Sequence, residues 1–258
     1  MNKALGIFVL FLMLTSCTTS EKEHEHNNNV QEEETEEVSS EAQETIHQWQ
    51  GNLDGRIPVL IWYKEQQGYL FGSLYYTDQK TPKEIKLIGE SDSTSHRLLE
   101  FMPTGDITGI WQLSTSSSSA EGTWYAPTTD RSYNVSAMHI DSAVTISDFA
   151  NPKNISGKYA YMYGEDRGAG SLTVTEEKGS ATLNFDNVTA APAYNLATLE
   201  TQPLPLINKT VTYSSNEFGE CKFTVRFFKG FAVVRYIDGK GDCGFGHNAH
   251  VDGIYMKL

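Results

Sequence analysis

From Trp49 onward, hydrophobic and polar positions alternate in short runs that predict β-strands. Runs such as 59–63, 69–76 and 108–113 are rich in β-branched and aromatic residues, and turn-forming residues separate them. No stretch repeats its apolar positions with the period of a helix. The pattern therefore predicts an antiparallel β-meander of about eight strands over residues 47–141.

A second series of strand-like runs fills residues 156–258, including 171–175 and 231–237. Residues 142–155 separate the two series and are expected to form a linker between two domains. The predicted fold class is therefore all-β, with two antiparallel meander modules. Each module is expected to be either barrel-like or a curled sandwich.

Glycine precedes an aromatic residue by two positions near strand ends in both halves of the chain. Residues two apart on a strand share a face, and a strand glycine permits the sharp coil that a closed sheet needs. The repeat favours a barrel over an open sandwich, although chance recurrence in a Tyr- and Gly-rich chain is the alternative. The four pairs are Gly109/Trp111, Gly122/Trp124, Gly157/Tyr159 and Gly253/Tyr255.

The beginning of the chain has the layout of a secretory signal peptide. A single basic residue, Lys3, precedes the apolar run 4–14, which is too short to span a bilayer as a helix of roughly 20 residues. The run ends in Leu-Thr-Ser-Cys, and this ending resembles the lipobox of bacterial lipoproteins. The resemblance implies that residues 1–16 are removed and that Cys17 carries lipid, including palmitate-type acyl chains, which anchor the protein to a membrane.

The net charge of −13 comes largely from one segment that follows Cys17. Ten glutamates and a single base, Lys22, lie within residues 21–44. Such a composition predicts that residues 17–46 form a disordered tether. The acids close behind Cys17 resemble an export signal of Bacteroidota surface lipoproteins, which implies an outer-membrane location on the surface or on the periplasmic face. No basic patch is present, so no nucleic-acid partner is expected.

Assigning Cys17 to the lipid leaves Cys221 and Cys243 as a pair. An envelope compartment outside the cytoplasm is oxidising, so this pair is predicted to form a disulfide. No redox spacing or activating partner accompanies it. The expected role of the bridge is structural.

The pair flanks a predicted hairpin with a two-residue turn at 229–230. If the strands pair directly from this turn, Cys221 lies opposite Asp238. The glycine-rich run 239–242 then returns the chain, so that Cys243 comes within bonding distance of Cys221.

Two further resemblances extend beyond the anchor. Residues 49–51 (WQG), 72–76 (GSLYY) and 122–124 (GTW) resemble uncharacterised, Tyr-rich β-meander lipoproteins of the Bacteroidota. The closing runs 243–246 (CGFG) and 252–257 (DGIYMK) resemble calycin-like modules, some of which occur in proteins named as lysozyme inhibitors. The resemblance implies a calycin- or lipocalin-like barrel and a slight preference for a binding function.

Aromatic residues provide the candidate binding surface. Adjacent aromatics on a strand must point to opposite faces, so at least one of each neighbouring pair is expected outside the core. The alternative is that these residues fill the core. The candidate ligand-facing aromatics are Trp62, Tyr75, Tyr76, Trp124 and Tyr125.

No catalytic residue is assigned. The chain contains no nucleophile, phosphate-loop or zinc-protease motif, so an enzyme is not expected. His247 and His250 lie in the one stretch that resembles a metal cluster, but on a strand they would point apart, and a loop is the better interpretation. His24 and His26 are interpreted as part of the solvated tether. No metal site and no cofactor are predicted.

Two serines, Ser93 and Ser142, follow aspartates in a pattern that resembles the O-glycosylation acceptor of Bacteroidota proteins. The expected function is non-catalytic binding of a protein or glycan ligand by a membrane-anchored envelope lipoprotein, with inhibition of a lytic enzyme as one version. One alternative is a structural or surface-coat role without a discrete ligand. The other is a glycan-directed hydrolase or binder, and a hydrolase would need two acids that converge in a cleft.

Overall fold

The structure, a computed structural model, describes residues 45–93 and 95–258. The predicted signal peptide, the predicted lipidation site Cys17 and nearly all of the predicted tether lie outside the described residues. The described part of the chain belongs to a single compact unit and is all-β, as predicted. None of its residues forms a helix that is long and apolar enough to span a membrane.

The first half of the described chain forms a closed antiparallel barrel. Each strand pairs with the next one along the chain, and β1 also pairs with β8, so the sheet has no free edge. The strands are β1 (Thr45–Leu53), β2 (Ile57–Gln66), β3 (Tyr69–Tyr76), β4 (Ile85–Asp92), β5 (Ser95–Phe101), β6 (Ile107–Thr115), β7 (Ser119–Ala126) and β8 (Arg131–His139).

The second half forms another closed barrel with the same up-and-down path. Strand β10 pairs with both β9 and β11, and β17 pairs with β9, which closes the sheet. Strands β12 and β13 both pair with β11 and together occupy one position in the barrel. The strands are β9 (Gly157–Met162), β10 (Ala169–Glu177), β11 (Ser180–Val188), β12 (Leu196–Glu200), β13 (Leu204–Ile207), β14 (Thr210–Ser215), β15 (Cys221–Phe228), β16 (Phe231–Gly241) and β17 (Gly253–Lys257).

Inward-facing glycines let neighbouring strands of the first barrel approach closely. A Cβ atom on Gly122 would lie 1.9 Å from the carbonyl oxygen of Gln112, and one on Gly109 would lie 2.2 Å from Nε1 of Trp124. A side chain at Gly122 would force two strands apart, and one at Gly109 would displace the indole of Trp124 and the carboxyl group of Glu100. The glycine-aromatic repeat therefore marks barrel geometry, as the sequence predicts.

Both barrels are filled at mid-height by their own side chains. Trp49, Tyr63 and Trp111 are buried inside the first barrel, and Phe223 and Tyr255 are buried inside the second. Small barrels of about eight strands have room for side chains but not for a continuous channel. Space for a ligand inside either barrel is therefore confined to its ends.

The predicted disulfide is confirmed, with 4.6 Å between the Cα atoms of Cys221 and Cys243. The predicted hairpin is also present, since Phe228 pairs with Phe231 across the two-residue turn. The expected partner of Cys221 is wrong. Cys221 lies opposite Gly241 rather than Asp238, because a bulge between Cys221 and Phe223 shifts the register.

A third apolar cluster joins the outer faces of the two barrels. Phe149, in the segment between the barrels, is fully buried there. Its ring centroid lies 5.4 Å from that of Phe71 in the first barrel and 5.8 Å from that of Phe231 in the second. Ile88, Leu99, Ile254 and Met256 complete the contact from both sides. The two barrels are thus packed against each other through a shared core.

Polar contacts surround this shared core. Arg235 of the second barrel forms an ion pair with Glu90 of the first. The main-chain N–H of Met162 donates a hydrogen bond of 3.0 Å to the carbonyl oxygen of Gly105. These bonds fix one barrel against the other in a single orientation.

Candidate functional sites

A pocket of about 580 Å³ opens at one end of the first barrel. Its volume lies within the range of roughly 300–1,000 Å³ that is typical of small-molecule sites. Aliphatic side chains from several strands and three aromatic side chains form the apolar part of its wall. These residues are Leu53, Ile57, Ile85, Tyr76, Trp124 and Tyr133.

Ring stacking and strand pairing position the aromatic side chains of the pocket wall. The rings of Trp124 and Tyr133 are stacked, with centroids 5.5 Å apart and planes inclined by 15°. They lie on the paired strands β7 and β8, directly opposite each other in the register. The exposed side chains of Asp78 and Arg131 lie among the residues that line the pocket.

Glu100 contributes its side chain to the pocket and is almost completely buried. Its Oε1 accepts hydrogen bonds from the Tyr76 hydroxyl at 2.6 Å and from the indole N–H groups of Trp111 and Trp124, each at 2.8 Å. Its Oε2 accepts a hydrogen bond of 3.1 Å from the Thr108 hydroxyl. The carboxyl group is therefore held rigidly by neutral donors.

Among the residues described, the pocket beside Glu100 has one basic side chain, that of Arg131, and it is exposed. Within residues 45–93 and 95–258, no lysine or arginine forms an ion pair with it. Burial raises the pKa of the Glu100 carboxyl above its usual value, and the four donated hydrogen bonds oppose this effect only in part. A ligand that supplies a donor or a positive charge would stabilise the ionised form.

The five candidate aromatics divide as their positions along the strands require. Tyr76 and Trp124 point inward and line the pocket. Trp62 and Tyr75 contact each other on the outer face, with ring centroids 5.1 Å apart. Tyr125 is also outside, and its hydroxyl donates a hydrogen bond of 2.5 Å to Asp130.

Glu100 is missing from the sequence-based candidates. A signal for it exists, since it is the one charged residue in the run Leu98-Leu99-Glu100-Phe101 and shares the inward face with Leu98. An acid at a core position of a predicted strand is the kind of local inconsistency that accompanies functional sites.

The opposite end of the first barrel carries a histidine cluster that we define as His47, Glu65 and His96. Nε2 of His47 lies 3.2 Å from Oε2 of Glu65, and Nε2 of His96 lies 3.8 Å from the same oxygen. The two imidazole rings are 4.8 Å apart and nearly perpendicular. One donor atom from each residue lies within 4.8 Å of the others.

Neighbouring side chains hold the histidine cluster in position. The Tyr63 hydroxyl lies 2.6 Å from Nδ1 of His96 and accepts a hydrogen bond of 3.1 Å from Nε1 of Trp49. The Ser91 hydroxyl donates a hydrogen bond to Oε1 of Glu65. Burial lowers the pKa of His47, and burial lowers the pKa of His96 to about 4, so both imidazoles are neutral at neutral pH.

The histidines that the sequence analysis weighed lie elsewhere. Nδ1 of His250 lies 2.7 Å from Oδ1 of Asp252, which raises the pKa of His250, while His247 is exposed. The structure does not bring these two histidines into a group of metal-ligating side chains. Ser93 and Ser142 are both exposed.

The second barrel has a smaller pocket, of about 220 Å³, beside the buried Asn187. The amide nitrogen of Asn187 donates hydrogen bonds to the carbonyl oxygen of His250 and to the Tyr255 hydroxyl, at 2.8 and 2.6 Å. Its Oδ1 is buried and has no hydrogen-bond partner among the described residues. This pocket offers polar contacts but no buried charge.

Neither a family model, nor a curated protein, nor a solved structure matches this chain. The assignment of function therefore rests on the two sites of the first barrel.

Proposed function

We propose that this protein is a non-catalytic binding protein whose first barrel holds a small amphipathic amine. The ammonium group of the ligand faces Glu100, and its apolar body lies against the wall of the pocket. The observation that carries the proposal is a buried carboxyl group at a ligand-sized pocket, without an ion-pair partner in the described chain.

The chemistry of the pocket favours a cation over an anion. An ammonium group within hydrogen-bond distance of Glu100 would supply the charge that the carboxylate lacks, in a site where water is partly excluded. The rings of Tyr76, Trp124 and Tyr133 add favourable cation–π contacts, worth about 0.5–2 kcal/mol each. An anionic ligand would meet the like charge of Glu100, and the one basic side chain that the described chain contributes to the pocket wall, that of Arg131, is exposed to solvent.

The aliphatic part of the wall fits an apolar ligand body. Leu53, Ile57 and Ile85 present hydrocarbon surface that a chain or ring of the ligand would cover. Each buried methylene group contributes about 0.8 kcal/mol to binding. Both parts of the ligand are needed, since neither a bare ammonium ion nor a plain hydrocarbon uses the whole pocket.

The proposal places this barrel in the bacterial envelope, held by lipid on Cys17. The lipobox-like ending of the apolar run supports this location. The Cys221–Cys243 disulfide supports it as well, because structural disulfides persist in oxidising compartments. A tethered binding protein in this setting would capture or retain its ligand near the membrane.

Titration with a matched series of probes tests the proposal. Octylamine, octanol and octanoate share one apolar body and differ only in the head group. We expect octylamine to bind at least tenfold more tightly than octanoate, a difference of about 1.4 kcal/mol. Calorimetry measures the affinities, and the fluorescence of Trp124 reports occupancy because this side chain lines the pocket.

Two variants locate the binding. Glu100→Gln keeps the shape of the side chain but removes the charge, and we expect it to abolish the preference for octylamine. Glu121→Gln removes an exposed charge from the same barrel and is expected to change nothing. Equal affinity for octylamine and octanoate would contradict the proposal. Inhibition of a lysozyme without binding of any probe would instead assign the function to the outer surface.

A further inference from the structure

Two imidazoles and one carboxylate form a ligand set that divalent transition metals use in proteins. Zinc is bound by two histidines and one glutamate in some catalytic sites, where a further position is left to water. The same combination, arranged on one face of the ion, also binds ferrous iron. In the first barrel, His47, Glu65 and His96 provide this set from strands β1, β2 and β5.

We propose that the histidine cluster is a binding site for a divalent transition-metal ion, with zinc as the ion to test first. A tetrahedral ion with bonds of about 2.1 Å separates its ligand atoms by roughly 3.4 Å. The separations from Oε2 of Glu65 are 3.2 Å to Nε2 of His47 and 3.8 Å to Nε2 of His96, and all three ligand atoms lie within 4.8 Å of one another. Side-chain rotation that shortens the widest of these separations would bring all three atoms onto one ion.

The arrangement is more than a hydrogen-bonded pair. A structural histidine needs one partner for its ring, and His96 already has Tyr63 at Nδ1. Its other nitrogen nevertheless points to the same carboxylate oxygen that His47 contacts. Two imidazole nitrogens that converge on one oxygen define a position for a cation between them.

Supporting hydrogen bonds of the kind seen around metal ligands are in place. With Nε2 of His96 bound to an ion, Nδ1 would carry the proton and would donate a hydrogen bond to the Tyr63 oxygen, which orients the ring. Ser91 holds the second oxygen of Glu65 by a hydrogen bond. The three candidate ligands are thus held in position by the closed sheet and by hydrogen bonds from Tyr63 and Ser91.

The site is accessible to an ion and to water. The side chains of His47 and Glu65 are 17% and 26% exposed, whereas that of His96 is 1% exposed. The buried histidine forms the base of the site, and the other two ligands lie between it and solvent. A remaining coordination position therefore faces outward.

The metal site does not depend on the amine pocket. His47 and Leu53 lie at opposite ends of β1, and the filled middle of the barrel separates them. Either site can be present without the other.

Metal titration of the full chain provides the test. His24 and His26, which lie outside the described residues, are replaced by glutamine in every sample so that they do not contribute. Zinc chloride is titrated by calorimetry, and the visible absorption of added cobalt reports the coordination geometry. We expect one ion per chain, an absorption spectrum typical of four-coordinate cobalt, and a higher melting temperature with zinc.

Substitutions of the metal ligands, and of the residue that hydrogen-bonds to one of them, show whether the ion binds at this cluster. Glu65→Gln and His47→Gln are expected to abolish binding, and they remain informative if His96→Gln does not fold, since both residues are partly exposed. Tyr63→Phe is expected to weaken zinc binding by about 10- to 100-fold while keeping one ion per chain. His247→Gln, an exposed histidine of the second barrel, serves as the matched control and should bind as the parent does.

Two outcomes would overturn the proposal. One is the absence of zinc and cobalt binding by a folded parent chain. The other is binding that survives Glu65→Gln and His47→Gln unchanged, because the ion would then lie elsewhere. Loss of octylamine binding alone leaves the metal proposal intact, and loss of metal binding alone leaves the amine proposal intact.

Discussion

The two barrels follow the same up-and-down path, yet their interiors differ in chemistry. The first has a buried carboxyl group, Glu100, near one end and the histidine cluster at the other. The second is packed mainly with apolar and aromatic side chains, and its buried polar residues within the described part of the chain are Asn187 and Thr201, which are both uncharged. Its additional constraint is the disulfide. A common strand framework thus supports two proposed ligand sites in one barrel and a largely apolar core in the other.

The comparison shows which parts of a small barrel can accommodate polar and charged side chains. Large side chains fill the middle of both, and the carboxyl and imidazole groups buried inside the first barrel, those of Glu100 and His96, lie near its ends, where water or a ligand can reach them. Charged groups also weaken a core unless they are fully satisfied. We therefore regard the first barrel as the binding module and the second as a supporting module that shares its core.

Disruption of the shared core tests whether the second barrel stabilises the first. Phe149→Ala removes a fully buried ring that contacts both barrels, and such truncations cost about 3–5 kcal/mol of unfolding free energy. Denaturant unfolding measures the loss. All four tryptophans lie in the first barrel, so their fluorescence reports that barrel, while circular dichroism reports both.

The control for this prediction is Ile207→Ala, which truncates an exposed side chain that is 67% accessible. We expect it to change the unfolding free energy by no more than about 0.5 kcal/mol. If Phe149→Ala were equally mild, the two barrels would be independent units rather than one.

Removal of the disulfide is expected to cause the next largest loss of unfolding free energy. A bridge that spans 22 residues stabilises the folded state by about 3 kcal/mol. The double variant Cys221→Ser/Cys243→Ser is therefore expected to lower the unfolding free energy by about this amount. Because the barrels share a core, the tryptophan fluorescence of the first barrel should shift to the same lower denaturant concentration. A fluorescence midpoint that stays unchanged would show separate unfolding.

The smallest expected effect is a pH dependence specific to the first barrel. Burial raises the pKa of Glu100 in the folded state above the value of about 4.3 expected for the unfolded chain. Between these two values the folded state binds more protons than the unfolded state. The unfolding free energy should therefore fall as the pH rises through this window, and it should stay lower above it.

Paired variants isolate this effect. Urea unfolding of Glu100→Gln across the acidic and neutral range should lack the part of the slope that Glu100 causes. Glu121→Gln, which is exposed, should keep the slope of the parent. Identical pH profiles for the parent and Glu100→Gln would mean that Glu100 titrates as it does in the unfolded chain.

Local patterns in the sequence were sufficient to predict the all-β class, a barrel-like sheet in each half and the disulfide, although strand β13 was not predicted. The Lys229-Gly230 turn specifies its hairpin by chemistry that spans only neighbouring residues. Gly122 and Trp124 reveal sheet closure because residues two apart share a face. The bulge near Cys221 has no such local signal, and the predicted register failed there.

The two sites were not predictable in the same way. His47, Glu65 and His96 come from three strands, and β5 does not pair with β1 or β2. Their convergence requires closure of the sheet and the register of every strand between them. Glu100 was visible as a charge in an apolar run, but its donors lie on β3 and β7 as well as on its own hairpin partner β6.

The shared core also constrains the order of events during folding. Ile254 and Met256 of β17 belong to the cluster around Phe149, and β17 also closes the second barrel against β9. Phe228, Phe231 and Val233 of β15 and β16 belong to the same cluster, so these strands cover the outer face of the first barrel only in part until β17 is added. A chain cut short before residue 253 would therefore leave part of this apolar face exposed to proteases and to other chains.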